Sequence, residues 1–192
     1  MSRHFAITVS LAGSICLSSC VASYRNLPSA KVGASAPSKA YAKLYFHVAD
    51  QTHDAGTAAL VNAIETRSPF RETESIDAPP AQGLFVAVSI KRVPEGPTAR
   101  AYKAISYATL TVLPAWSGRS GSDLLYEIYV DGRKMKNFDY QVRRKKVTWI
   151  GLLPFSWINL LAHTEAEVFD ATALQFFDDA DPVFRTATTS AP

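Results

Sequence analysis

Residues 124–142, LLYEIYVDGRKMKNFDYQV, leave the chain little freedom. Two runs rich in β-branched and aromatic residues flank Asp131-Gly132. A tight type I′ turn needs positive φ at both central positions, which this pair supplies at low cost. The return strand sets Phe138, Tyr140 and Val142 on one side. An isolated hairpin is marginal in water, so the remaining chain must cover that apolar face. Alternation predicts further strands at 41–48, with Leu44, Phe46 and Val48 inward, and at 84–92, with Leu84, Val86, Val88 and Ile90 inward. A long β-rich run at 104–116 reads as a strand stopped by Pro114, and 147–153 as one ended by Pro154. Residues 70–76 read as a short polar edge strand. Asp54 is a plausible N-cap for a helix over 55–66 with a Leu60, Val61, Ile64 stripe. Thr164-Glu165-Ala166-Glu167 fits a capping box. Its helix carries a stripe of Val168, Phe169, Thr172, Ala173, Phe176 and Phe177, and is expected to end at the acidic run before Pro182. The order of elements predicts an α+β fold: a two-layer sandwich, with a mainly antiparallel sheet and two helices on one face.

The N-terminus sets the address. A basic head (Arg3, His4) precedes an apolar run from Phe5 to Leu17, then the small residues Ser18 and Ser19, which is the layout of a secretory signal peptide. Both cysteines, Cys16 and Cys20, lie in this segment. A domain after residue 20 therefore has neither an internal disulfide nor a thiolate metal site. Residues 21–40 are rich in Ser, Ala, Pro and Gly and have no apolar period, so they read as a tether. The expected division is a signal peptide over 1–19, a flexible tether headed by Cys20 over 20–40, an α+β domain over 41–185, and a disordered tail over 186–192.

Leu17-Ser18-Ser19-Cys20 resembles the bacterial lipobox. That resemblance implies that Cys20 becomes the first mature residue and is acylated, holding the protein to a bilayer. Cys16 does not fit, because Ile15 puts a branched residue where a small one is needed. Val21 is not Asp, and by the same resemblance the protein is sorted to the outer membrane, facing the periplasm. TLTVLPAW (109–116), the Tyr-rich hairpin and VTWIGLLPFSW (147–157) together resemble a loose group of small bacterial lipoproteins. In those proteins two Leu-Pro elements flank a hairpin. The resemblance implies an envelope setting and a fold, and it supplies no catalytic residue.

Charge and chemistry narrow the rest. Arg143-Arg144-Lys145-Lys146 is the sharpest charge feature and implies a strand end or exposed edge, since four cations in a strand buried on both faces are costly. The sixteen uncharged residues that follow hold Gly151 and Pro154 and are too short and broken to span a bilayer. The Asp50-Gln51-Thr52-His53-Asp54 cluster and His163 offer acid–base or metal-ligating groups, but ordinary helix capping accounts for them better. His47 alternates with inward residues and is expected to face solvent. No P-loop, Gly-x-Ser-x-Gly elbow or His-Glu-x-x-His pattern occurs. The expectation is a non-enzymatic envelope lipoprotein without cofactor or metal. Its partners would be the bilayer, through Cys20, and another envelope protein, but not nucleic acid. Trp116, Arg143, Arg144, Lys145, Lys146, Phe155 and Trp157 form the candidate interaction surface. An apolar- or lipid-ligand module is the alternative reading, and an anchored hydrolase a third.

Overall fold

The computed structural model describes residues 20–25, 39–49, 54–152, 154 and 162–189. Its elements run β1 (Cys20–Arg25), β2 (Tyr41–Ala49), α1 (Ala55–Arg67), β3 (Phe70–Ser75), β4 (Leu84–Val93), α2 (Pro97–Ala108), β5 (Ala115–Val130), β6 (Arg133–Thr148) and α3 (Glu165–Thr189). Hydrogen bonding orders the strands β1-β6-β5-β4-β2-β3. The sheet is mixed. β2 runs parallel to both β3 and β4, while β1 and β6 are antiparallel. Three helices are present among the described residues. These findings correct the expected two-layer sandwich with a mainly antiparallel sheet and two helices. Parallel pairing arises because α1 carries the chain back between β2 and β3, the crossover that parallel neighbours require.

The chain divides into two compact units. One comprises Asn26–Arg92, Ser122–Val142 and Thr164–Pro192, and it contains nearly all of the core. Among the described residues, every buried hydrophobic side chain except Ala115 belongs to it. Asp54 caps α1 by accepting from the Thr57 amide at 3.0 Å. The capping box closes as expected, with the Thr164 amide donating to Glu167 at 2.9 Å and the Glu167 amide to Thr164 at 3.2 Å. All six residues of the expected α3 stripe are buried. That stripe continues through Ala180 and Phe184, and α3 runs to Thr189 despite Pro182. Burying a phenylalanine contributes about 1.5–3 kcal/mol, enough to offset one lost helical hydrogen bond. Residues 186–189, expected as tail, are therefore helical.

Arg92 on β4 pairs with Asp54 and with Glu165 and lies over the Phe169 ring at 5.5 Å. One cation thus serves the N-terminal ends of both α1 and α3, where helix dipoles favour the two carboxylates. The close approach of those helices also explains Gly56. A Cβ there would come within 3.2 Å of Glu165 Cγ and 3.4 Å of Phe169. The Asp131-Gly132 turn has φ of 50° and 73°, as a type I′ turn needs. Asp131 also accepts from the Gly83 amide at 2.8 Å. Tyr126 stacks on Phe176 with ring centroids 4.4 Å apart. Burial holds its phenol well above its ordinary pKa. Tyr140 is raised too, first by burial and then by its hydrogen bond to Asp179.

The other unit comprises Met1–Arg25, Val93–Gly121 and Arg143–His163. Three readings of the sequence are corrected here. Residues 97–108, read in part as strand, form α2, because Pro97 occupies the first helical turn after the Gly96 cap and Ala99, Ala101, Ala104 and Ala108 favour helix. Residues 20–25, read as tether, form β1 and pair with β6 from Cys20↔Thr148 to Arg25↔Arg143. No separate strand spans 147–153. β6 ends at Thr148, and a helical turn follows at 150–152. The basic run is therefore a strand end, as expected, but β1 covers the edge it would have exposed.

Candidate functional site

The unit containing β1, α2 and the end of β6 is built unlike an ordinary domain. Among the described residues, its buried ones are small or polar: Ser106, Thr111, Ala115, Ser117 and Thr148. Its large apolar residues are outside. Among the described residues, every exposed large hydrophobic side chain except Met135 belongs to this unit.

Two stretches carry that surface. The first is α2, where Ser106 is the one buried residue and Tyr102, Ile105 and Tyr107 are each about half exposed. Trp116 at the start of β5 stacks on Tyr102, centroids 5.9 Å apart and planes 19° from parallel, and remains 62% exposed. The second is the loop from Thr109 to Pro114. Leu110 and Thr111 adopt positive φ, 50° and 62°. The Thr111 amide donates to the Ser106 carbonyl at 2.7 Å, and Ser106 Oγ to the Leu113 carbonyl at 2.7 Å. These bonds turn Leu110, Val112 and Leu113 outward.

The stretches that precede the two Leu-Pro pairs meet. The Ile150 amide donates to the Thr111 carbonyl at 2.9 Å, and the Trp149 indole N–H to the Val112 carbonyl at 3.0 Å. Trp149 and Ile150 remain partly exposed beside the loop. Both follow Thr148 directly, and Thr148 is the register partner of Cys20.

The basic run pairs with β1: Tyr24 faces Arg144, Ser23 faces Lys145 and Ala22 faces Lys146. Arg143, Arg144, Lys145 and Lys146 are all half-buried, with the Arg144 guanidinium 5.9 Å from the Tyr24 ring centroid. From Cys20 onward this unit carries eight Lys and Arg against one carboxylate, Glu95, which pairs with Lys103 at 3.2 Å. The core-bearing unit carries eleven against sixteen. Charges of +7 and −5 thus sit on two parts of a chain that is nearly neutral as a whole.

Of the sequence-derived candidates, Trp116 is displayed and the four cations form one strand end. Phe155 and Trp157 lie outside the described residues, as do residues 50–53 with His53. Asp54 is occupied with capping α1 and pairing Arg92. His47 lies 3.6 Å from Asp77, and His163 is half-buried. Among the described residues, no three His, Cys, Asp or Glu cluster as a metal site, and no helix is long and apolar enough to cross a membrane. A cleft lined by Glu95, Lys103, Trp116 and Lys146 has about 10 Å³, room for one water. Sequence reasoning missed Tyr102, Leu110, Val112 and Trp149. The usable signal was Pro97 with its alanines, which marks a helix and so moves 109–114 into a loop.

No protein-family model and no curated protein matches the chain. The structure is similar to the crystal structure of the rare lipoprotein B from Shewanella oneidensis, with a TM-score of 0.40 and 11% identity over 75% of this chain and 97% of that one. It is also similar to the PelC dodecamer from Paraburkholderia phytofirmans, with a TM-score of 0.26 and 9% identity over 79% of this chain and 95% of that one.

Proposed function

We propose that this chain is a bacterial envelope lipoprotein, anchored at the outer membrane through Cys20 and facing the periplasm, that works by binding another envelope protein rather than by catalysis. The observation that carries the binding role is α2. A helix with a single buried residue, an apolar Tyr102–Ile105 face and a stacked, exposed Trp116 is the composition of a protein-binding surface, where Trp and Tyr supply most of the energy. The lipobox-like Leu17-Ser18-Ser19-Cys20 carries the anchor. Asp54, one of the polar groups that first suggested chemistry, caps α1 and pairs with Arg92.

Crosslinking in intact cells tests this reading. The expected result is one discrete adduct that disappears in a Tyr102→Ala, Trp116→Ala double variant expressed at the parental level. A double variant that keeps the adduct, or a parent that never forms one, ends the proposal. Cys20→Ser is expected to release the chain from membranes washed at high salt, which leaves the parent attached.

A second reading has one observation in its favour. In the core-bearing unit, Tyr41, Lys43, Phe70, Leu84, Val130 and Asp131 line a groove of about 650 Å³, within the range of small-molecule sites. An apolar ligand with a polar end would suit it.

A further inference from the structure

We propose that the unit containing β1 docks on an anionic lipid surface through the 110–113 loop, the Trp149–Ile150 turn and the basic end of β6. The membrane involved follows from the reading of Cys20 as acylated. The contact itself stands on four observations of this unit, of which only the first uses that anchor.

The first is the absence of slack. A free tether of twenty residues can hold a domain up to about 66 Å from its anchor. Here Cys20 is already in β1, one interstrand spacing of about 5 Å from Thr148. Acyl chains on Cys20 would bring the neighbours of Thr148 down to the headgroups. Those neighbours include Trp149 and Ile150, which hold the 111–112 backbone.

The second is what lies there. Leu110 (70% exposed), Val112 and Leu113 offer aliphatic side chains, and Trp149 an indole, the residue types that enter or border a bilayer interface. The third is charge. Eight cations against Glu95 complement an anionic surface, and four of them form the strand end paired with β1.

The fourth is strain. Leu110 stands at φ 50°, where a branched side chain is disfavoured and Asn or Gly is at ease. It is also the most exposed of the large hydrophobic residues described. Backbone and solvation both oppose leucine in water. An apolar phase removes the second objection.

The decisive experiment sediments the mature chain, residues 20–192 made with Cys20→Ser, with vesicles of phosphatidylglycerol or of phosphatidylcholine. Binding is expected to the first and not the second, and to fall as salt rises. A Lys145→Gln, Lys146→Gln double variant is expected to bind about tenfold more weakly or worse. Leu110→Asn is expected to bind about tenfold more weakly while its thermal midpoint stays level or rises, which separates binding from folding. No binding to phosphatidylglycerol at low salt, or undiminished binding by Leu110→Asn, overturns the docking surface. So does a Leu110→Asn variant that loses a protein crosslink but not the vesicles. The mass of the protein purified from cells reports acylation separately. An unmodified Cys20 with vesicle binding intact would overturn the lipoprotein reading and leave the docking surface standing.

Discussion

Phe176 and Trp116 are both large aromatic residues stacked on a tyrosine. Phe176 lies 4.4 Å from the Tyr126 ring, with both residues fully buried between α3 and the sheet. Trp116 lies 5.9 Å from the Tyr102 ring, and both are more than half exposed. The same contact has opposite uses in the two units. In the first case, aromatic area removed from water stabilises the fold. In the second, it stays in water, on a scaffold whose buried residues, among those described, are Ser, Thr and Ala. Charge divides along the same boundary, acidic with the core and basic with the display. Burial and display of apolar area thus fall to different parts of one chain.

Substitutions can break that contrast. The largest effect is expected from Phe176→Ala, which should cost about 3–5 kcal/mol in urea unfolding, whereas Trp116→Ala should cost under about 1 kcal/mol. Equal losses would mean that the displayed aromatics are core after all. Next comes Tyr126→Phe. The Tyr126 hydroxyl is fully buried without a hydrogen-bond partner among the described residues, so its removal should raise stability by about 1 kcal/mol. A loss on this substitution would reveal a partner for the hydroxyl and a more polar interior than that of an ordinary core. The smallest effect concerns acid. The Lys134 hydrogen bond, assisted by Tyr129, holds Glu127 below the ordinary carboxylate range. Its contribution is therefore present above the unfolded value of about 4 and is lost as pH falls through the lower folded value. Glu127→Gln should slightly flatten the acid limb of a stability–pH curve. An unchanged limb would mean that this exposed pair contributes nothing measurable.

What could be read from the sequence was local. The Asp131-Gly132 turn, the Asp54 cap and the Thr164–Glu167 box each need only a few adjacent residues, and all three formed. The α3 stripe was legible because its period repeats over several turns. The Ile, Tyr, Thr and Val content of 104–116 argued for strand, yet propensity yielded to the Pro97 start and to the bonds that fold 109–113 back on Ser106. Parallel pairing of β2 with two neighbours leaves no mark on any single segment. β1 was illegible for the same reason, since Val21-Ala22-Ser23 becomes a strand only opposite Lys145, Lys146 and Val147. The candidate surface was half found. Trp116 and the cations stood out by type, while Leu110, Val112 and Trp149 depended on a loop that only the correct placement of α2 creates.

The partner of β1 also orders the birth of the molecule. Cys20 faces Thr148, a residue 128 positions later in the chain. Until that distant segment has been made, β1 has nothing to pair with, so this edge of the sheet closes late. The Asp131-Gly132 hairpin can form from neighbouring residues long before then. The first strand of the chain is thus among the last to be placed.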